Sequence, residues 1–369
     1  MTNTFKDIQN YLNNKFIERE AEIEGLLVAL LARQHILLIG AAGTGKSMLS
    51  SELSKIIDGS NYFQWLLTRF STPEELFGAL SLKDLEQGVY KRNVSGKMPE
   101  SEIAFLDEIF KANSAILNAL LTIINERVFY NDGQPTPVPL MSVVGASNEY
   151  PEEGEGLEAL FDRFLLRFEV GYIQDSNSFT QMLKNKGVTA TIPSMTMEDL
   201  EMAQFAVDMI QIPDDVYESL AIIREELRDE GITPSDRRFK QSLSVLQARA
   251  YLEGRNIVSV NDISILTNSL WENAEQKDKT AEIVKRYSVD SVQAAIEERT
   301  KEVLEIQKAV KSNNSTESVI EATAKMKDIL KSFDALKVQY PKRSAELEIV
   351  IESIKTIQRE IVDLTLTGI

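Results

Sequence analysis

The sequence predicts an α/β domain on a parallel sheet, then an all-helical domain, then a three-helix extension. Three observations carry this. Short apolar runs alternate with helical patterns between residues 35 and 170; the strand signals stop at about residue 197; and beyond Trp271 only Pro341 and Gly368 remain as helix breakers. Strand–helix alternation marks a parallel sheet covered on both faces. At roughly 150 residues per domain, a chain of 369 residues suits two or three domains.

Taken in order, residues 1–34 carry charged and apolar residues at helical spacing and end in LLVALLARQ. His35–Gly40 (HILLIG) reads as a short buried strand, because β-branched residues and leucine fill it and glycine ends it. Further strands are predicted at Tyr62–Thr68, Ile103–Leu106, Ser142–Ala146 and Phe164–Val170, with helices such as Met48–Ile57 and Ala115–Arg127 between them. Residues 1–172 therefore form the αβ core, and residues 173–196, polar and broken by Gly187 and Pro193, form a connector. Residues 197–271 read as short helices punctuated by Pro213, Gly231, Pro234 and Gly254. In residues 272–369 apolar positions recur at 3-4 spacing in three stripes, from Val292 to Val310, from Val319 to Tyr340 and from Leu347 through Val350, Ile354, Ile357 and Ile361 to Leu364. The breaks, Lys311–Thr316 and Pro341–Arg343, are short enough to force antiparallel neighbours. The expectation is a coiled-coil-like bundle with arms about 30 Å long. It projects to dock a partner or, in the alternative reading, folds back as a brace.

Composition removes several functions. There are no cysteines, which excludes disulfides, thiolate metal sites and cysteine nucleophiles. His35 is the one histidine, so no site needs two imidazoles. The longest uncharged apolar run, Gly25–Ala32, is far short of the roughly 20 residues that span a bilayer. The start MTNTFKDIQN lacks the basic and apolar regions of a secretory leader, and a cytoplasmic location is expected. A net charge of −17 opposes a phosphate backbone, so nucleic acid is a disfavoured partner.

The chemistry concentrates at strand ends. Gly40-Ala-Ala-Gly43-Thr44-Gly45-Lys46-Ser47 matches G-x-x-x-x-G-K-[ST] between a predicted strand and a predicted helix. Glycines let backbone N–H groups turn toward phosphates at a helix N-terminus; Lys46 neutralises them and Ser47 offers its hydroxyl to Mg²⁺. Ile103–Leu106 delivers Asp107 and Glu108 to the edge of a sheet, Asp107 to the metal shell and Glu108 as the base that polarises water. Asn148, ending another strand, can hydrogen-bond water and the terminal phosphate. No guanine-recognition [NT]-K-x-D motif occurs, which favours ATP. His35 reads as a structural residue. Residues 86–99 read as a hairpin bearing Lys91, Arg92 and Lys97, either facing a pore or solvated.

These motifs in this order resemble an AAA+ ATPase of the MoxR family, nearest to its regulatory ATPase variant A branch. The resemblance rests on GAAGTGKS, on LLTRFSTPEELFGALSL (66–82), on IAFLDEIFKANSAILNALLTIINERVF (103–129), on SNE (147–149), on LEALFDRFLLRFEV (157–170) and on SDRRF (235–239). It spans residues 15–271, while 272–369 match weakly and lack the inserted domain of that branch. The resemblance implies a P-loop core with an all-α lid. It makes Asn148 sensor 1, Arg163 the arginine finger with Arg167 as rival, and Arg237 sensor 2 with Arg238 as rival. Ile17 and Ile23 are placed near the adenine. It also implies ATP between the core and lid of one subunit, Mg²⁺, a homo-oligomeric, hexameric ring, a von Willebrand factor A-domain partner and chaperone-like work on a protein client. A slowly hydrolysing, nucleotide-gated scaffold is the alternative, and a nucleic-acid remodeller a weaker one.

Overall fold

The computed structural model describes residues 2–151, 156–184, 192–289, 291–312 and 316–366. Two compact units divide the chain, Met1–Ser288 and Val289–Ile369.

In the first unit five parallel strands form the sheet: β1 (Ile36–Ile39), β2 (Tyr62–Leu66), β3 (Ile103–Asp107), β4 (Ser142–Ser147) and β5 (Leu166–Glu169), in the order β2-β3-β4-β1-β5. The register sets Ile39 beside Ser147 and Leu66 beside Asp107. The residues that follow β1, β3 and β4 therefore share one edge of the sheet, the carboxyl-terminal edge, where ligands of open parallel sheets bind. Strands β1 and β4 are buried throughout, as expected of strands covered on both faces. Helices Thr2–Lys15 and Glu20–Leu31 supply much of that cover, with Phe5, Leu12, Ile23 and Leu27 in the same core as Ile36, Leu38 and Phe168. A second core, on Leu37, Phe105's neighbours Ala104 and Leu106, and Phe164, packs against helix Ser114–Glu126 through Ile116, Leu120 and Ile123.

The lid comprises helices Met197–Asp208, Asp214–Asp229 and Asp236–Leu252, the 3-10 segment Val260–Asn268 and helix Lys277–Tyr287. Thr196 and Asp199 form a capping box at its first helix, and Ser235 caps the third by accepting from the Arg238 N–H. The lid runs on past Trp271, the boundary expected from the loss of breakers. Helix Lys277–Tyr287 buries Ile283 and Val284 in the lid core, and the division falls after Ser288.

Residues 86–99 do not form a β-hairpin. They hold a turn after helix Leu82–Leu85, a single antiparallel bridge between Leu80 and Arg92, and the 3-10 turn Met98–Glu100. Arg92 pairs with Glu74 at 3.1 Å, and Lys97 donates to Glu75 O at 3.0 Å. The hairpin lies instead at Val128–Asn131 and Gln134–Pro137, joined by Asp132-Gly133, both at positive φ.

The second unit is three helices, Ser291–Ser312, Thr316–Gln339 and Ser344–Leu366. Val303, Met326, Phe333, Leu347, Ile354 and Ile361 are buried together. In the third helix Ile351 is buried and Val350 only partly so. Residues 313–315 and the side chain of Leu364 lie outside what is described.

Candidate active site

The P-loop leaves β1 at Gly40 and enters helix Lys46–Ile56 through Gly45, which is left-handed at φ 90; Gly43 is also left-handed, at φ 81. A side chain on either would meet nothing within 4 Å, so the loop's concave side is free for a ligand that approaches the backbone. Gly40 serves a different purpose. A Cβ there would stand 2.1 Å from Val170 O, so glycine lets the end of β5 close onto the loop.

Lys46, 6% exposed, donates to Gly40 O, to Ala41 O at 3.0 Å and to Asn148 Oδ1 at 3.1 Å. Asn148 in turn donates from Nδ2 to Glu108 Oε1. The amide thus joins the loop's cation to the carboxylate that follows β3. Ser47 Oγ lies 3.4 Å from Asp107 Oδ2, bringing together the two oxygens expected to hold Mg²⁺. Burial lowers the Lys46 pKa below the usual value, against the pull of Asp107 and Glu108, as suits an ammonium that lacks a full set of anionic partners. Glu108 is left-handed at φ 52, ψ 44, which costs a non-glycine residue about 1–2 kcal/mol. Its N–H donates to Asp107 Oδ1 at 3.0 Å and its side chain is held by Asn148. Such strain is found where a side chain must be aimed. Ala42–Met48, Asp107, Glu108 and Asn148 line a cavity of about 280 Å³, ample for phosphates and a hydrated cation.

Ile23, expected near the adenine, is fully buried in the core. The groove behind the loop is lined by Phe16, Arg19 and Glu22, together with Leu38, Leu49 and Val170, and by neither Ile17 nor Ile23. Arg19 is the residue that sequence reasoning missed: its guanidinium reaches Thr44 O at 3.3 Å and Gly171 O at 2.5 Å. An arginine in a run of acids reads as surface, and only the fold shows what it touches.

The arginines sort by burial. Arg167, 1% exposed, donates to Phe164 O, Phe161 O and Trp271 O and stacks 4.0 Å from the Phe161 ring centroid. Arg238, 3% exposed, donates to Leu165 O, Ser269 O and Asp162 O and pairs with Asp162 Oδ1 at 2.9 Å. Both are fully committed to holding the lid and the start of β5 together. Arg163 and Arg237 are less committed: Arg163 Nη1 pairs with Asp162 Oδ2 at 3.2 Å, and Arg237 donates to Asn125 Oδ1 at 2.5 Å. They share a cavity of about 200 Å³ with Arg33, His35, Asn125 and Arg127, and no carboxylate lines it. Arg163 Nε is buried without a partner, and burial and then the Arg237 charge lower the Arg163 pKa. Asp162 is the carboxylate that Arg163 shares with Arg167 and Arg238, so the facing guanidinium groups of Arg163 and Arg237 keep an excess of positive charge that suits an anion.

That cavity is not beside the P-loop. Arg33 and His35 precede β1 and Arg163 precedes β5, so the arginines occupy the amino-terminal edge of the sheet. A strand of four residues separates the edges by roughly 13 Å. No lid residue lines the P-loop cavity. The expectation that the core and lid of one subunit enclose the nucleotide is therefore corrected: the lid packs on helix Glu20–Leu31 and carries Arg237 to the far edge. His35 is structural, as expected. Its Nδ1 accepts from Val143 N–H at 2.9 Å, and burial lowers its pKa well below the usual value, keeping it neutral.

Sheet order, P-loop, strand-end acids and helical lid define the class: a P-loop nucleotide-binding core with the AAA+ architecture. Residues 3–210 match the MoxR domain of MoxR-vWA-beta-propeller ternary systems, and residues 215–284 match an AAA lid domain. Two uncharacterized proteins of Methanocaldococcus jannaschii are each 40% identical to the chain, one over 79% of this chain and 78% of its own length, the other over 73% and 70%. The chaperone MoxR1 of Mycobacterium tuberculosis is 29% identical over 41% of this chain and 40% of its own. A solved structure from Cytophaga hutchinsonii superposes with a TM-score of 0.63 over 78% of this chain and 93% of its own, and at 18% identity it shows the shared fold alone. The chain belongs to the MoxR family of AAA+ ATPases. Among the described residues no helix is long and apolar enough to cross a membrane.

Proposed function

We propose that this chain hydrolyses ATP with Mg²⁺ as one subunit of a ring. The observation that carries the proposal is the hydrogen-bonded series Lys46–Asn148–Glu108 at the mouth of the P-loop, with Ser47 and Asp107 beside it. Ser47 and Asp107 would hold Mg²⁺, whose charge offsets that of the β- and γ-phosphates. Lys46 and the loop amides bind the phosphates, and Lys46 exchanges its carbonyl partners for phosphate oxygens. Glu108 accepts the proton of the attacking water, and Asn148 fixes the direction of that carboxylate.

The charge that develops on the transferred phosphoryl group calls for a guanidinium, and no free one stands at this edge among the P-loop cavity's lining residues. Arg163 and Arg237 sit at the opposite edge of the same sheet, and association of unlike edges is head-to-tail, the arrangement that makes a ring when the rotation between subunits closes. One subunit's Arg163 and Arg237 then complete its neighbour's site, Arg163 as finger and Arg237 as sensor 2. The matched family's description names vWA systems, which supports a von Willebrand factor A-domain partner; a hexamer and a client protein remodelled during turnover complete the reading.

Glu108→Gln tests the chemistry. Nucleotide affinity stays within about two-fold while turnover falls by about 10²–10⁴. Mixing Arg163→Ala with Lys46→Ala subunits tests the ring: hydrolysis returns because an intact P-loop meets an intact finger. Assembled mixed rings that stay inactive sink the shared site.

A further inference from the structure

Phe70 stands in water at the carboxyl-terminal edge of the sheet, 92% exposed. It follows β2 closely, on the chain that leaves beside the acids of the site, where Leu67 N–H donates to Asp107 O at 2.9 Å. Its backbone is firmly placed. Thr68 N–H donates to Ser71 Oγ at 3.0 Å, Phe70 N–H to Thr68 Oγ1 at 3.2 Å and Ser71 N–H to Thr68 O at 3.0 Å. Asn113 donates from Nδ2 to Ser71 O at 2.7 Å, and Thr72 and Glu75 form a capping box directly afterwards. Bonds of this kind between short polar side chains and the backbone fix a turn locally. The turn holds a large apolar ring out in solvent, with the exposed Arg69 beside it. An aromatic side chain on so fixed a backbone is suited to anchor an interface, because docking it orders little.

A cavity of about 560 Å³, against about 280 Å³ at the P-loop, adjoins helix Glu158–Arg163. Tyr150 and Phe161 give it an aromatic wall backed by the buried Trp271, with the three ring centroids 6.0–6.4 Å apart. Glu158, Glu272 and Glu275 line it as well, and the one cation among its lining residues, Arg167, is committed to carbonyl groups. The cavity is therefore both aromatic and acidic, and it suits an aromatic ring accompanied by a cation.

Within one subunit the two features belong to opposite ends of the sheet: β2 is one end of its strand order, and Glu158–Asp162 lead into β5 at the other. A head-to-tail pair brings them together. When Arg163 of one subunit reaches its neighbour's P-loop, the cavity whose wall holds Asp162 approaches the edge that carries the neighbour's Phe70. We propose that Phe70 of one subunit seats in this cavity of the next, its ring against Tyr150 and Phe161, with Arg69 facing Glu272 and Glu275. The inference names the contact that joins subunits in the ring reading, and it rests on that reading. The contact fixes the register in which Arg163 meets the neighbouring site.

The test is sedimentation velocity on the full chain with Mg²⁺ and the β,γ-imido analogue of ATP, over a range of protein concentrations. Phe70→Ala raises the concentration of half assembly about thirty-fold, while Phe70→Tyr, which keeps the ring, stays within about two-fold. Ala274→Trp fills the cavity from its exposed wall and raises that concentration to a similar degree. Neither substitution removes a buried side chain, so thermal midpoints of the subunits stay at the wild-type value. Mixing decides the pairing: Phe70→Ala retains the cavity and Ala274→Trp retains the anchor, so the mixture forms heterodimers and stops there. If the wild type assembles and either variant alone assembles equally well, the proposal is overturned and the ring reading stands. Two variants that fail alone and give no heterodimer when mixed also overturn it, by placing the two residues in separate contacts. Wild-type protein that stays monomeric with Mg²⁺ and the analogue overturns the ring reading, and the contact with it.

Discussion

Arg237 and Arg238 are adjacent in the sequence and opposite in fate, because successive residues of a helix point about 100° apart. With Ser235 fixed as the cap, position 238 turns into the core and position 237 out toward Arg163. Sequence alone shows two arginines and one role. The same holds for Arg163 and Arg167, one helix turn apart on paper but separated by the passage from helix Glu158–Arg163 into β5. Burial separates the members of each pair. Removing Arg238 strands the Leu165, Ser269 and Asp162 acceptors, so Arg238→Ala should lower unfolding free energy by about 3 kcal/mol. Among the described residues Arg237 donates to Asn125, and Arg237→Ala should leave stability within about 0.5 kcal/mol while hydrolysis by assembled protein falls. Urea titration and steady-state turnover on both variants check the pair. Equal loss of stability would refute the division of labour.

At the scale of elements, the five strands, the P-loop helix and the lid helices were legible because burial on both faces leaves continuous apolar runs and caps leave local signals. The hairpin was not placed, although Asn131-Asp132-Gly133-Gln134 carries the two-residue turn chemistry; its first strand, Val128–Asn131, follows almost directly on the helix that ends at Glu126, and its second, Gln134–Pro137, is exposed throughout and holds no apolar run. The lid's extension to Tyr287 was hidden for another reason: helix Lys277–Tyr287 has the same breaker-free composition as the helices after it, and only packing assigns it. The docking of helix Thr2–Lys15 on the P-loop helix Lys46–Ile56 was also invisible, since it runs through polar groups. Tyr11 and Lys15 each reach Glu52 at 2.6 Å, and Lys55 reaches it from its own helix. Burial raises the Glu52 pKa, but the hydrogen bonds from Lys15, Tyr11 and Lys55 outweigh it and bring it to about 2. A carboxyl depressed on folding stabilises above its unfolded pKa and loses that stabilisation as pH falls toward the folded one. Glu52→Gln should therefore be less stable than wild type near pH 7, with the gap closing between about pH 4.5 and about 2. Thermal midpoints measured across that window give the answer, and a gap independent of pH would mean that Glu52 acts through packing alone.

At the scale of the molecule, the chain spends its acidic excess unevenly: residues 272–369 hold 16 basic and 18 acidic residues, and the rest of the net −17 lies before them. The two units also bury separate cores, since none of the residues clustered around Phe333 belongs to the clusters of the first unit. Separate cores unfold as separate cooperative transitions. The extension was read correctly as three amphipathic helices because each needs only its two siblings, so the whole of its packing is written in its own 3-4 pattern. The nucleotide site has no such independence, being assembled from three strand ends of the first unit. Phe333 is fully buried at the centre of the extension, and Phe333→Ala should remove about 3–5 kcal/mol from that unit's stability. Scanning calorimetry should show one transition moving down and the other unmoved, with affinity for the imido analogue of ATP unchanged. If the variant instead lowers both transitions or weakens nucleotide binding, the extension is a thermodynamic part of the ATPase unit.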